Sequence, residues 1–463
     1  MRRPILLAAM ILLAVGLWGQ PASAQGLLQG ILSNVGNSLL NPQPQGVIVR
    51  TTLGAAGLQA VCLQNGCSVV GNLDGGLNQL FLVRPTQQGL VAQLLASVLR
   101  LVTGILDAEV DQVLNIPPNA PNQAIATAPP PGLWDTTPVN YFGTIAWDGY
   151  VNQPAAQIIH LSNAHSTFNV SGAGIVADID TGVDPNQPVL QGVLLNGYDF
   201  TRNQPGGSEM NDINLSNPPP CGSCPAAYVN QHTAAMVDQH TAAMVDGNAY
   251  AAFGHGTMVA GVIHLVAPTA QILPLKSFHA DGTGNLSDIL RAIYYAVQNN
   301  ANVINMSFDL TQSSTELSNA INYASNHNLI LVASSGNDGK QEIVYPAGLQ
   351  NVMGVASTNN QDQRSSFSNY GDQVVWVAAP GEAIITTYPF ATYAAGWGTS
   401  FSSPMVAGTA ALLLNIQPRE NQAQAAWVIG HAKWISFTMG NGRLDVFQSL
   451  LSSNPIQGLL PLN

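Results

Sequence analysis

The sequence predicts an α/β protein whose mostly parallel β-sheet is flanked by helices and preceded by a small α+β unit. From about residue 174 onward, continuously apolar runs alternate with helical patterns, as expected for strands that are buried on both faces. An earlier stretch, at about 47–114, mixes strand-like and helical patterns over a shorter length. The 463 residues are too many for one compact core and leave room for two folded units with connectors.

In the smaller unit, strand-like runs at 47–50 and 79–83 come before a predicted helix at about 89–105, and the run at 110–114 closes the unit. Residues 116–132 are rich in proline and alanine, which predicts an extended, exposed linker. In the larger unit, the Ser287-Asp288 pair opens a helix with apolar residues on one face. The predicted strands there are 174–180, 271–278, 303–308, 329–335, 352–357 and 374–379.

The first residues have the pattern of an export signal. Arg2 and Arg3 are followed by an apolar run at 5–17 and by Ala22-Ser23-Ala24, which is typical of a signal-peptide cleavage site. The apolar run is shorter than the roughly 20 residues that a membrane anchor needs. We therefore expect a mature chain that begins near Gln25 and is secreted, to the periplasm or to the medium.

Charged residues are scarce, at 8% of the chain, and the net charge is -12. An ordinary soluble protein has about 25%. An acidic balance without basic clusters argues against nucleic acid or an anionic membrane as a partner. We also infer tolerance of mildly acidic surroundings, because few carboxylates are available to unfold the protein by taking up protons.

The four cysteines form two close pairs, Cys62 with Cys67 and Cys221 with Cys224. In an exported chain this spacing favours two short-range disulfides. A zinc site is the weaker interpretation, because the two pairs fall in different predicted units. Cys221 and Cys224 also have the spacing of a redox motif, but they follow three prolines in a loop and lack the strand-to-helix setting of that motif.

An octet, Gln-His-Thr-Ala-Ala-Met-Val-Asp, occurs twice in tandem at 231–246. Two copies of eight residues are too short to build a solenoid. His232, Asp238, His240 and Asp246 offer metal-binding groups, but nothing in the sequence predicts a ligand geometry. An inserted surface loop is the favoured interpretation.

Three residue types that together hydrolyse peptide bonds occur at ends of predicted elements. Asp180 ends a strand before Thr181-Gly182, His255 opens an apolar helix, and Ser400 opens another in Gly398-Thr399-Ser400-Phe401-Ser402-Ser403-Pro404. A serine nucleophile needs an imidazole to take its proton and a carboxylate to hold that imidazole. Pro404 is expected in the first turn of its helix, where a missing N–H is tolerated.

These segments resemble the subtilisin-like serine peptidase family, also called subtilases or peptidase family S8, in which the order along the chain is Asp, His, Ser. The resemblance extends from about 171 to 450 and implies a secreted serine endopeptidase with Asp180, His255 and Ser400 as the catalytic triad. It also identifies Asn337, in Ser334-Ser335-Gly336-Asn337-Asp338-Gly339, as the side chain that stabilises the oxyanion together with the backbone N–H of Ser400.

The same resemblance identifies five residues that bind substrate: Ser307, Phe308, Asp309, Ser335 and Gly336. At 308–310 the family usually has an apolar residue and two glycines, which line the pocket for the side chain before the cleaved bond, so Phe308-Asp309-Leu310 departs from the pattern. Asp309 either points into solvent, which is the simpler interpretation, or favours a basic substrate side chain.

Two other departures lie close to the predicted triad. Met258 stands where many members have a second histidine. Asp178 is two residues before Asp180 and therefore on the same side of the strand, where two carboxylates would raise one pKa, unless the strand twists Asp178 into a hydrogen bond elsewhere.

We expect the protein to need no cofactor. The family's common calcium loop is predicted to be missing, because the 261–267 segment is short and Val189 takes the place of a calcium-binding aspartate. Calcium at another, unidentified site stays open.

The amino-terminal unit resembles the family's inhibitory propeptide at 104–113, which implies a ferredoxin-like module that assists folding and blocks the cleft until removed. The predicted organisation is a signal peptide at 1–24, a propeptide at 25–116, a linker with the processing site at 117–134, a peptidase domain at 135–450 with an insertion at 202–250, and a tail at 451–463. The expected partners are a peptide or protein substrate and the chain's own propeptide, and we expect a monomer.

Two other functions remain open at this point. A processing protease of narrow specificity fits the unusual pocket residues and the insertion. A catalytically silent, peptide-binding relative is the alternative from another class, although it would have no need for all four predicted catalytic residues.

Overall fold

A computed structural model describes residues 45–87, 89–116, 129–213, 235–236 and 250–453. These residues divide into two compact units, one up to Gln112 and one from Val113 onward. The predicted signal peptide, Cys221 and Cys224, and most of the octet repeat lie outside the described residues. None of the described helices combines the length and the apolar sequence that a bilayer crossing needs.

The first unit is a four-stranded antiparallel sheet with two helices, in the chain order β-α-β-β-α-β that defines a ferredoxin-like arrangement. The strand order in the sheet is β2-β3-β1-β4. Its core is made of apolar residues from both helices and from all four strands, and Val49, Leu58 and Leu95 are fully buried. The elements are β1 (Val47–Thr51), α1 (Gly54–Asn65), β2 (Cys67–Asn72), β3 (Leu80–Pro85), α2 (Ala92–Leu99) and β4 (Ile105–Val110).

Two predictions for this unit were wrong in detail. The helix expected at 89–105 is shorter, Ala92–Leu99, and the residues after it form turns that end at Gly104, with a φ of 92°, before the chain enters β4. Helix α1 was not predicted, since only Leu58 and Cys62 on it are buried and it therefore has little helical periodicity. The run expected to close the unit at 110–114 is divided between β4 and a short strand of the second unit.

Cys62, on α1, and Cys67, at the start of β2, differ from the disulfide prediction. Gly66 turns the chain between them with a φ of 67°, which brings the two residues together. The structure contains them as two buried free thiols.

The second unit is built on an eight-stranded sheet of order β10-β9-β12-β8-β14-β15-β16-β17, parallel throughout except for the β9–β10 pair. Its strands are β8 (Ile175–Asp180), β9 (Tyr198–Asp199), β10 (Gln204–Pro205), β12 (Gln271–Lys276), β14 (Val303–Met306), β15 (Ile330–Ser334), β16 (Met353–Thr358) and β17 (Val377–Pro380). The other strands are β5 (Val113–Asn115), β6 (Pro138–Tyr141), β7 (Thr144–Trp147), β11 (Ala235–Met236), β13 (Thr283–Asn285), β18 (Ile384–Tyr388) and β19 (Thr392–Gly396).

Two of the described helices of this unit, His255–Val266 and Thr399–Ile416, are apolar and pack against each other in its core. The described α-helices of this unit are α3 (Asp148–Val151), α4 (Pro154–Ile158), α5 (Leu161–Phe168), α6 (His255–Val266), α7 (Leu286–Gln298), α8 (Thr315–Asn326), α9 (Thr399–Ile416), α10 (Gln422–Ile429) and α11 (Val446–Ser453). Every residue of α6 is buried. Such a helix is hydrophobic all round because it crosses the interior.

The α/β fold class predicted from the sequence is confirmed. All six predicted strands of the sheet are present, with ends that differ from the predicted ones by at most three residues, and α7 begins at Leu286, next to the predicted start. Their positions could be found because strands buried on both faces are continuously apolar. Of the predicted 117–134 linker, 117–128 lies outside the described residues and Pro131–Trp134 forms a 3-10 helix with Leu133 fully buried.

Strand β5 pairs with β13 in antiparallel register, with Leu114 opposite Gly284. The N–H of Ile116 donates to the carbonyl of Gly282 at 2.8 Å. Leu114 and Ile116 are both buried. The residues that follow the first unit therefore lie as an edge strand against the segment between β12 and α7.

Candidate active site

The predicted catalytic residues converge on one edge of the main sheet. Asp180 is the last residue of β8, and Ser307 and Asn337 follow β14 and β15. Because β8, β14 and β15 are parallel, their carboxyl ends meet at the same edge. His255 and Ser400 are in the first turns of α6 and α9.

Asp180 and His255 form a buried hydrogen-bonded pair. His255 Nδ1 lies 2.7 Å from Asp180 Oδ1 and 2.9 Å from Oδ2. The N–H of Thr181 donates to the same carboxylate at 2.7 Å. With Nδ1 held by the carboxylate, the other ring nitrogen, Nε2, is the one left to accept a proton.

Glu209 is a buried carboxylate behind this pair that the sequence analysis did not identify. It accepts hydrogen bonds from the N–H of Gly254 at 2.6 Å, from Thr181 Oγ1 at 3.2 Å and from Thr257 Oγ1. Thr181 Oγ1 in turn accepts from the N–H of Gly256 at 2.9 Å. Glu209 thus joins the turn after Asp180 to the first turn of the His255 helix.

The pKa of Glu209 depends on opposing effects of burial, hydrogen bonds and nearby charge. Burial raises its pKa to about 8, against the lowering effects of its hydrogen bonds from Thr257 and Gly254 and of the Lys276 ammonium. The Lys276 ammonium is fully buried and lies 2.7 Å from Asp212 Oδ2. No local signal could have found Glu209, because Glu209–Asp212 is a single 3-10 turn in a polar stretch.

Ser400 is held by contacts with Ser307. The Ser400 hydroxyl donates to the Ser307 carbonyl at 3.2 Å, and the Ser307 hydroxyl donates to the Ser400 carbonyl at 3.0 Å. The ring of Phe401, the next residue, lies 5.9 Å from the His255 ring, centroid to centroid.

The placement of Pro404 corrects a prediction. Helix α9 begins at Thr399, so Pro404 lies in its second turn and not in its first. A proline there cannot donate to the carbonyl four residues earlier, which is that of Ser400. The Ser307 hydroxyl supplies that hydrogen bond instead.

Asn337 lies beside the start of α9. Its Oδ1 accepts from the N–H of Thr399 at 2.9 Å and from Thr399 Oγ1 at 3.0 Å. Its Nδ2 makes no hydrogen bond to another described residue. A Cβ built on Gly398 would be 3.7 Å from both Asn337 Nδ2 and the Ser400 N–H nitrogen. The two donors therefore border the same small space.

Asp178 is buried in β8, two residues before Asp180. It makes a hydrogen bond to a neighbouring strand, and its pKa is raised. Its Oδ1 accepts from Asn305 Nδ2 at 3.0 Å, while its Oδ2 has no partner among the described residues. Burial, and then the charge of Asp180, raise its pKa well above the ordinary value. Asn305 also bonds Ser307 and Ser403, so this hydrogen-bond network reaches the Ser400 helix.

The predicted substrate-binding residues differ in their burial and in their contacts. The Phe308 ring is buried against Phe278, and the Ser335 hydroxyl donates to the Asn369 carbonyl at 3.3 Å, so neither side chain faces an open cleft. Gly336 has a φ of 93°. Asp309 is partly buried, and its Oδ2 lies 3.2 Å from the position of a Cβ on Gly336.

Within the described ranges, no group of three or more His, Cys, Asp or Glu side chains is arranged to hold a metal ion. Val189, at the position predicted to have lost a calcium-binding aspartate, is buried in the main core. Met258 is also part of that core. Of the octet repeat, only Ala235–Met236 is described, as a strand paired with β19.

Comparison with known proteins finds serine proteinases among the relatives of this chain. A sequence profile of the Subtilase family matches residues 172–444. The chain is 34% identical over 301 residues to thermitase of Thermoactinomyces vulgaris, a match that covers 64% of this chain and 95% of thermitase. It is 36% identical over 287 residues to the thermophilic serine proteinase of Bacillus sp. (strain AK1), covering 61% of this chain and 63% of that protein.

A solved structure supports the fold alone. The crystal structure of a lanthipeptide protease matches with a TM-score of 0.52 and 22% identity, over 65% of this chain and 95% of that one. The profile match covers the segment that contains Asp180, His255, Asn337 and Ser400. Given that match and the similarity to thermitase, the chain belongs to the subtilase family of serine peptidases.

Proposed function

We propose that this protein is a secreted serine endopeptidase, made as a precursor, in which Ser400 is the nucleophile, His255 the general base and Asp180 the group that orients the base. The observation that carries the proposal is the buried Asp180–His255 hydrogen bond of 2.7 Å at the sheet edge where Ser400 begins α9. A structural histidine has no need of a buried carboxylate aligned in this way beside a serine at a helix start.

In the proposed reaction, the Ser400 hydroxyl leaves the Ser307 carbonyl and gives its proton to His255 Nε2 as its oxygen bonds to the substrate carbonyl carbon. The imidazolium is stabilised by Asp180. The C–N bond of the tetrahedral intermediate then breaks, and the leaving amine takes the proton from His255. Water attacks the acyl-enzyme through the same proton transfers and restores Ser400.

The negative oxygen of the intermediate needs preorganised donors. Asn337 is suited to this role, since its Oδ1 is held by Thr399 and its Nδ2 remains available beside the Ser400 N–H. The amide orientation is thereby set before substrate binds. A fixed donor costs no reorganisation when charge develops.

The ferredoxin-like fold of the first unit and the pairing of β5 with β13 support the precursor proposal. An antiparallel strand with buried Leu114 and Ile116 is the form in which an extended peptide binds to a sheet edge. We propose that the first unit is an inhibitory propeptide, that 113–116 occupies a peptide-binding strand position, and that cleavage follows within 117–134.

The test compares the purified full-length precursor with Ser400→Ala and with Ser313→Ala, a change at an exposed serine of the same unit. We expect the wild type and Ser313→Ala to release the first unit and to take a fluorophosphonate label. Ser400→Ala should stay intact and unlabelled. Self-cleavage by Ser400→Ala at the wild-type rate, or labelling at another serine, would refute the assignment.

A further inference from the structure

The ends of β14 and β15 flank a carboxyl group that has no assigned role. Asp309 lies three residues after β14, and its Oδ2 is 3.2 Å from the position of a Cβ on Gly336. Gly336 comes directly before Asn337, and Ser307, two residues before Asp309, holds Ser400. The carboxyl group therefore lies between the two segments that border the nucleophile.

This carboxyl group lacks a compensating partner. No described residue donates a hydrogen bond to it or forms an ion pair with it. Burial raises the pKa of Asp309 to about 7, and the negative charges of Asp338 and Glu342 contribute to the rise. The ammonium group of Lys340, in the same loop, is attracted to Glu342 and lowers the pKa of that residue. Asp309 is partly buried, and a carboxylate that is partly removed from water without a partner destabilises the fold.

We propose that Asp309 makes the pocket for the side chain before the cleaved bond selective for lysine or arginine. The inference deepens the proposed peptidase function and rests on it. A substrate ammonium or guanidinium would supply the cation that the carboxyl group lacks in the free protein. Asp338 and Glu342 add to the negative potential that attracts a basic side chain.

A different role for the same group predicts a different specificity. If Asp309 only fills the space beside Gly336, the pocket is shortened and should favour alanine over longer side chains of any charge. The neutral variant Asp309→Asn separates the two, because asparagine has almost the same volume and no charge.

The experiment uses self-processed enzyme and peptides that differ only before the cleaved bond, with lysine, norleucine or alanine. Norleucine retains the aliphatic stem of lysine without the charge. We expect the wild type to prefer lysine over norleucine in kcat/KM, and Asp309→Asn to reduce that ratio by about tenfold or more. Asp372→Asn, which removes one exposed charge from the same unit, should leave the ratio unchanged.

The wild-type enzyme also gives a test that needs no variant. Asp309 ionises near pH 7, while a substrate lysine stays protonated up to a pH of about 10. The lysine to norleucine ratio should therefore rise between about pH 5.5 and 8.5, whereas the pH dependence of the catalytic groups cancels in the ratio. In Asp309→Asn the ratio should be flat.

A wild-type preference for norleucine over lysine, a ratio that Asp309→Asn leaves unchanged, or a preference for alanine in both forms would overturn the inference. Failure of the underlying function looks different, because the wild type would then cleave none of the peptides and would behave like Ser400→Ala. Should Asp309→Asn not fold, the pH dependence of the wild-type ratio decides alone.

Discussion

At the scale of single residues, the environment of the Asp180–His255 pair depends on buried side chains that hydrogen-bond to the segments carrying the pair. Glu209 holds Gly254 and Thr257 on the helix side and Thr181 on the strand side. Each of these donors would be buried without a partner if the carboxylate were removed, at about 1–3 kcal/mol per group. We therefore expect Glu209 to act as a positioning residue for His255.

We expect Glu209→Ala to lower kcat/KM by about tenfold or more, because the first turn of α6 loses its link to Asp180. Glu209→Gln should recover part of the loss, since its amide oxygen still accepts the Gly254 N–H. Steady-state kinetics on the folded fraction measures both, with Glu382→Ala, at a partly exposed position, as the control. Lower stability with unchanged kcat/KM would mean that Glu209 only supports the fold.

At the scale of elements, the close approach of α6 to the turn after β8 sets the geometry of the site. A Cβ on Gly256 would collide with the carbonyl oxygen of Gly182, which is backbone and cannot rotate away. Glycine is therefore required in the first turn of α6, next to His255. In α9 the residue type also matters for the site. Pro404 has no N–H, so the Ser400 carbonyl can accept a hydrogen bond from the Ser307 hydroxyl.

We expect Gly256→Ala to push α6 away from the Asp180 turn and to reduce kcat/KM by about a hundredfold, since a shift of about 1 Å is enough for such a loss. The matched control is Gly192→Ala, where an added Cβ meets no atom within 4 Å. Circular dichroism checks that both variants fold. Equal activity of the two variants would show that α6 tolerates the added methyl group.

At the scale of the whole molecule, buried ionisable groups determine how stability depends on pH. The folded-state pKa is raised to about 8 for Glu209 and to about 7 for Asp309, and is raised well above its ordinary value for Asp178. The folded protein therefore binds more protons than the unfolded chain in this range, and stability is lost as the pH rises through these values. His264 acts in the opposite sense, because burial lowers its pKa from 6.5 to about 4.

We expect the melting temperature of Ser400→Ala, used to prevent self-cleavage, to rise as the pH is lowered from about 8.5 to 6.5. Below about 6.5 the rise should become shallower, because His264, whose pKa burial lowers to about 4, then takes up a proton in the unfolded chain but not in the folded protein. Calorimetry across this range measures it, and Glu209→Gln should flatten the upper part. A melting temperature that climbs steadily from pH 6.5 to 8.5 would contradict the prediction.

The sequence by itself determined the six strands of the main sheet, because strands buried on both faces are continuously apolar over several residues. It also placed Asp180, His255 and Ser400 at a strand end and at helix starts, and the resemblance to the subtilase family then led to the proposal that they form the triad. Helix α1 could not be found in this way, since it has only two buried residues and so lacks a periodic pattern.

Only the tertiary structure decided what surrounds those residues. Glu209 meets partners 28, 45 and 48 positions away, and Ser307 meets Ser400 across 93 positions. The sequence showed Asp309 as an unusual residue but not that its carboxyl group lies against Gly336 without a cation. Periodicity reports the burial of neighbouring residues, whereas hydrogen-bond partners and the local electrostatic potential depend on segments that are distant in the chain and meet only after folding.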